Sequence, residues 1–122
     1  MKERELTGKV LATIRDDPRF ASCAVEVKLA RSATLHKGEL KEHQYRALML
    51  ARHSAIYWKI ADTSFVQLPF DGFVLKQAEA YVVIVYAIKP KREIWAIPID
   101  NFPPDRGQFK LGQAREVGVR LD

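Results

Sequence analysis

One cysteine, Cys23, occurs in 122 residues, so no internal disulfide can form and the fold must be held by packing and hydrogen bonds. That thiol lies in Ala21-Ser22-Cys23-Ala24-Val25, with no neighbouring base to activate it, and reads as a buried, inert side chain rather than a nucleophile. Histidine is nearly as scarce: His36, His43 and His53 have no spacing that assembles a structural zinc site. Glycine and proline number 6 each, while 48% of residues are hydrophobic and 29% charged, which excludes a disordered or fibrous chain. No stretch approaches the roughly 20 apolar residues of a membrane span. The polar start Met1-Lys2-Glu3-Arg4-Glu5 does not read as a signal peptide. The expectations are therefore no membrane partner, a cytoplasmic location and a single domain.

The charge is what the chain has in excess. Its 20 Lys and Arg against 15 Asp and Glu give a net +5, a sign that favours polyanionic partners through phosphate contact and counterion release. The excess is modest, and it supports a nucleic-acid partner without deciding for one.

Apolar periodicity then divides the chain. Leu6, Val10, Leu11 and Ile14 recur at helical spacing from Glu3 to Asp16, and Pro18 ends the pattern. On a wheel, Glu3 falls within the apolar stripe and Glu5 on the opposite side. Residues 21–30 read as a strand with Val25, Val27 and Leu29 on one face and Glu26 and Lys28 on the other. A loop with Ser32, Thr34 and Gly38 leads to a second helix over 39–53. Residues 54–60 form a β-branched and aromatic run, followed by a polar turn at Asp62-Thr63-Ser64. Residues 70–75 and 80–88 read as the two strands of a hairpin, and 93–99 as a further strand. Pro103-Pro104 closes the regular part, leaving 103–122 as an expected irregular tail after an ordered core over about 3–102. There is no internal repeat. The order helix, strand, helix, then several strands predicts an α/β domain with a mixed sheet flanked by helices. The early strand runs parallel to a neighbour through the helical crossover.

Two short motifs carry chemistry. Hydrolysis of a phosphodiester at neutral pH calls for a divalent metal held by hard carboxylate oxygens, together with a lysine that orients water or stabilises developing charge. Glu26-Val27-Lys28 and Pro69-Phe70-Asp71 supply that set if their strands meet. Each residue also has a plainer reading. Glu26 and Lys28 form a solvated strand face, Asp71 caps a turn, and Glu3 is a favourable anion in a first helical turn.

These residues resemble the PD-(D/E)xK nuclease superfamily and, within it, the Holliday junction resolvases. Glu3-Arg4-Glu5-Leu6 is similar to the helix start of those enzymes, Pro69-Phe70-Asp71 to their aspartate turn, and Glu26-Val27-Lys28 to their Glu-x-Lys. Lys59-Ile60-Ala61-Asp62 is similar to the segment before the aspartate, and His43-Gln44 to a pair on the helix after Glu-x-Lys. The resemblance implies a restriction-endonuclease-like fold. It also implies Mg²⁺ or Mn²⁺ held by Asp71 and Glu26, Lys28 as the catalytic lysine, Glu3 as an auxiliary carboxylate, and a homodimer acting on branched or four-way DNA. Ser32, Thr34, Lys37, Lys41, His43, Gln44 and Lys59 are the expected DNA contacts, with Arg46, Arg52, Lys89, Lys91 and Arg92 as further phosphate contacts.

The order of the motifs departs from the family, in which the aspartate strand precedes Glu-x-Lys. In the usual order the charged pair would lie on the hairpin partner of Asp71, where Tyr81-Val82-Val83-Ile84-Val85-Tyr86 stands instead. Either the earlier strand supplies the pair within one chain, or the pairing spans two subunits. The competing functional reading is a non-catalytic DNA-binding or assembly module on the same fold.

Overall fold

The computed structural model describes residues 3–61 and 70–122. Helix α1 (Glu3–Asp16) buries Leu6, Val10 and Ile14, the stripe that the spacing predicts. Strand β1 (Cys23–Ala30) follows, and after it β2 (Thr34–Leu35) and helix α2 (Glu42–His53). Strands β3 (Ala55–Lys59) and β4 (Gly72–Lys76) come next, then β5 (Glu79–Tyr86) and β6 (Glu93–Pro98). A short 3-10 turn at Ile99–Asn101 leads to β7 (Phe109–Lys110), helix α3 (Leu111–Val117) and β8 (Val119–Arg120).

The main sheet has the order β1-β5-β6-β8. Strands β1 and β5 are parallel, with Cys23 opposite Glu79 and Ala30 opposite Tyr86. Strands β5 and β6 are antiparallel, as are β6 and β8. The expected α/β class with a mixed sheet between helices is what the chain adopts. Every residue of β5 from Ala80 to Tyr86 is buried, because α1 covers one face of the sheet and α2 and α3 cover the other. A strand buried on both faces reads as a continuous apolar run without alternation. Under α1 lie Val27, Tyr81, Val83, Val85, Ile94 and Ala96. Under α2 and α3 lie Leu48, Val82, Ile84, Tyr86, Ile97, Phe109 and Ala114. Among the described residues no helix is long and apolar enough to cross a membrane.

The structure departs from the sequence reading in two places. Residues 70–75 do not form a hairpin with 80–88. Strand β4 pairs instead with β3, in a separate two-stranded ribbon that sets Trp58 opposite Phe73 and Tyr57 opposite Val74. The second departure is the C-terminal segment, which is ordered: β7 pairs with β2, and β8 extends the main sheet beside β6. Elements of two to seven residues are too short to show a period, and the anchors of this segment, Phe109, Leu111 and Ala114, are single buried side chains.

One buried charge belongs to this frame. Glu93 opens β6 at 7% exposure, and its carboxylate accepts from the Arg115 guanidinium and from Trp95 Nε1 at 3.0 Å, with Arg120 at 3.7 Å. The Arg115 hydrogen bond leads these contacts in holding the carboxyl down to about 2. A depressed carboxyl contributes stability that is present above its unfolded value of about 4.3 and lost as pH falls towards the folded value. Glu93→Gln should lower the melting temperature by several degrees at pH 7. Melts followed by circular dichroism should show wild type and variant converging as pH is lowered from about 5 to about 2.

Candidate functional site

Side chains alternate along β1, so the odd residues Val25, Val27 and Leu29 pack towards α1 and the even ones, Glu26 and Lys28, project to the other face. In the parallel register Glu26 lies opposite Val82 and Lys28 opposite Ile84, one strand over from the run where the family order would place the charged pair. That face is roofed by α2. Lys28 is consequently only 8% exposed, and its Nζ stands 3.9 Å from Glu26 Oε2.

Burial pushes the Glu26 carboxyl above its ordinary range. Lys28 opposes that shift, Glu3 adds to it by like-charge repulsion, and His43 in the first turn of α2 opposes it. Glu3 arrives from α1: its Oε2 accepts the Leu29 backbone N–H at 3.0 Å. That amide points away from β5, since the neighbouring Ala30 carbonyl points towards it and accepts from Ala87 N at 2.8 Å. The Glu3 carboxylate therefore sits at the outer edge of β1, as the helical phase predicts. Four of the expected residues, Glu3, Glu26, Lys28 and His43, are thus brought into one electrostatic group.

The loop between β1 and α2 forms a rim to this group. Ser32 Oγ accepts from Thr34 N at 3.3 Å, and Thr34 is paired with Lys110 across the β2–β7 ladder. Lys37 and Lys41 are exposed on this rim, as is His43. Gln44 serves the helix end, where its side-chain oxygen accepts from Lys41 N at 3.0 Å at the start of α2. Arg106 is a residue that the sequence reading did not single out. It donates to the Leu40 carbonyl at 3.1 Å and accepts from Gly38 N at 2.9 Å, tying the rim loop to the C-terminal segment. Its only signal was the turn composition Pro104-Asp105-Arg106-Gly107.

Asp71 does not join this group within the chain. It precedes β4 in the ribbon, where its carbonyl accepts from Ile60 N at 2.8 Å and it shares a surface recess with Tyr57, Trp58, Lys59, Phe73 and Val74. Pro69 and Asp62, the other members of its motifs, lie outside the described residues. Lys59 is exposed at the end of β3, remote from the rim loop in sequence and in sheet. Among the described residues, no three His, Cys, Asp or Glu side chains gather as a metal-holding set. The hard oxygens of Glu26 and Glu3 are suitable donors for Mg²⁺ or Mn²⁺, but the set that the resemblance implies is incomplete in one chain.

No family model, curated protein sequence or solved structure matches the chain.

The upward shift of Glu26 has a direct consequence. A carboxyl raised in the folded state lowers stability progressively as pH rises from its unfolded towards its folded value. Glu26→Gln removes that cost while keeping the shape, so it should raise the melting temperature by about 2–4 °C at pH 8. The gap to wild type should close near pH 4; a variant that melts lower than wild type at pH 8 would show that Glu26 is a stabilising partner of Lys28.

Proposed function

We propose that the chain is a small metal-dependent endodeoxyribonuclease of the resolvase type, hydrolysing phosphodiester bonds in branched DNA such as four-way junctions, with Glu26 and Lys28 at its centre. The observation that carries this reading is the placement of that pair. Two adjacent charges of opposite sign are held under a helix, at a separation too long for a strong hydrogen bond, with a second carboxylate and a histidine facing them. Such a group costs free energy to bury and adds little to the fold.

In this reading the Lys28 ammonium, fixed by the walls around its stem, binds a non-bridging phosphate oxygen and offsets the charge that develops on it. Glu26 holds or accepts the proton of the attacking water. The exposed Lys37 and Lys41 on the rim take flanking phosphates, which accords with the net charge of +5. A bound divalent ion would supply charge neutralisation and a more acidic water. A second reading, a DNA-binding module without activity, is favoured by the separation of Asp71 from Glu26.

Cleavage of linear, nicked and branched DNA in Mg²⁺ or Mn²⁺ separates the two. Wild type should cut branched DNA, and Glu26→Gln and Lys28→Met should each lose about 10²–10³-fold in rate. Binding affinity in both variants should stay within about threefold of wild type and fall steeply with salt. Cleavage that survives both substitutions rejects the site, and salt-dependent binding without cleavage under any condition favours the module.

A further inference from the structure

We propose that the β3–β4 ribbon is a seat for unpaired nucleotides of DNA, in which a base stacks on Tyr57 beside Gly72 and Lys59 and Lys76 take the phosphates on either side. The proposal deepens the nuclease reading and rests on its DNA substrate, though not on cleavage. It follows from the two unequal faces of the ribbon.

Side chains alternate between the faces of a ladder, and cross-strand partners share one face. Ile56–Leu75 and Trp58–Phe73 therefore lie on one side, and Ala55–Lys76, Tyr57–Val74 and Lys59–Gly72 on the other. On the first face Ile56 and Leu75 are half-buried, close to where the ribbon joins the body through Gln77 N to Ser54 O at 2.9 Å and Ala78 N to Ala51 O at 2.8 Å. The packing that a two-stranded ribbon needs is thus supplied from that side. On the second face every side chain is exposed, Tyr57 at 80% and Val74 at 62%.

The open face carries a particular set. Lys59 stands two residues along the strand from Tyr57, about 7 Å away, and Lys76 stands diagonally across the ladder at about 7–8 Å, so the ring has a cation towards each end of the ribbon. Gly72, the other diagonal neighbour of Tyr57, presents only backbone, since a Cβ there would collide with the Trp58 carbonyl oxygen. Tyr57, Lys59, Gly72 and Val74 all line one surface recess. A ring beside a clear floor and between two cations suits a single strand: stacking accepts any base, and lysines on long stems follow the phosphates. A base inside a duplex cannot use such a ring, because its neighbours in the stack already cover both of its faces.

The charges favour the same occupant. Asp71 is the ribbon's one acid among the described residues, and it continues the ladder through Ile60 N to Asp71 O at 2.8 Å. Preceding Gly72, it alternates to the other face and leaves the Tyr57 face with cations alone. An apolar protein surface covering Tyr57 and Val74 would strip water from both lysines, whereas a polyanion pairs with them and releases its counterions.

Fluorescence anisotropy of a short labelled oligothymidylate in EDTA, where metal-dependent cleavage cannot occur, tests the seat, with a blunt duplex of equal length beside it. Wild type should bind the single strand. Tyr57→Ala should weaken that binding by about 5–150-fold, the range for one stacked base, while Tyr57→Phe stays within about threefold of wild type. Duplex affinity of Tyr57→Ala should stay within about threefold, and Lys59→Ala and Lys76→Ala should each lower the salt slope for the single strand by about 0.7. Should Tyr57→Ala fail to fold by circular dichroism, the two lysine slopes decide alone. No single-strand binding by wild type, a folded Tyr57→Ala that binds as wild type does, an equal loss for single strand and duplex, or unchanged slopes in both lysine variants overturns the proposal. A wild-type dimer that Tyr57→Ala dissociates with single-strand affinity intact also overturns it and assigns the ribbon to a protein contact. Tyr57-dependent binding in a protein that never cuts keeps the seat and rejects the nuclease reading alone.

Discussion

Strand β5 can be solvated on neither face, and the rest of the structure is arranged to meet that condition. From Ala80 to Tyr86 it offers only two polar side-chain atoms, the hydroxyls of Tyr81 and Tyr86. Both are satisfied at its ends, Tyr81 by Glu79 and Tyr86 by the Phe109 carbonyl at 3.1 Å. Helix layers are needed above and below it, and a strand is needed along each side. Strand β1 runs parallel to it, so the chain between them has to cross back over the sheet, and the helix of that crossover is α2. The position of α2 over the even face of β1 in turn decides that Glu26 and Lys28 lie beneath a helix and not on an open surface.

Of the carboxylates on this sheet, Glu93 and Glu26 are treated in opposite ways, and the contrast separates scaffold from candidate site. Glu93 is met by Arg115, Trp95 and Arg120, and its carboxyl is pulled well below the ordinary range. Both of its carboxylate oxygens accept hydrogen bonds there, which is how a structural ion pair is built. Glu26 has one distant cation, a histidine and a second carboxylate, and its carboxyl is pushed up. Placed side by side, the first charge is satisfied within the fold and the second keeps 30% of its side chain open to solvent.

Much of this was legible in the residues. The α1 stripe, the alternation that sends Glu26 and Lys28 to one face, and the inward phase of Glu3 each follow from a period of 3.6 or 2, and each is found. The pairing of β4 was not legible. Residues 70–75 stand four residues from β5 and carry β-branched and aromatic side chains, so local signals favour a hairpin with the nearer strand. What decides against it is tertiary: β5 already has β1 and β6 along its two edges, and no edge remains for β4. The C-terminal segment escaped for the opposite reason, since β7, α3 and β8 take their order from the body they dock on. The burial of Lys28 was hidden too, because a Glu-x-Lys on a strand reads the same whether the face is roofed or open.

The ribbon is the one part of the described chain that this economy of packing does not explain. None of the residues of β3 and β4 is buried, yet their geometry is closely specified. A Cβ added at Gly72 would collide with the Trp58 carbonyl oxygen, so only glycine allows the two strands to approach beside Asp71. A connection that did nothing beyond linking α2 to β5 would need neither that glycine nor aromatic residues on both faces, and a shorter polar loop would cost less ordering entropy.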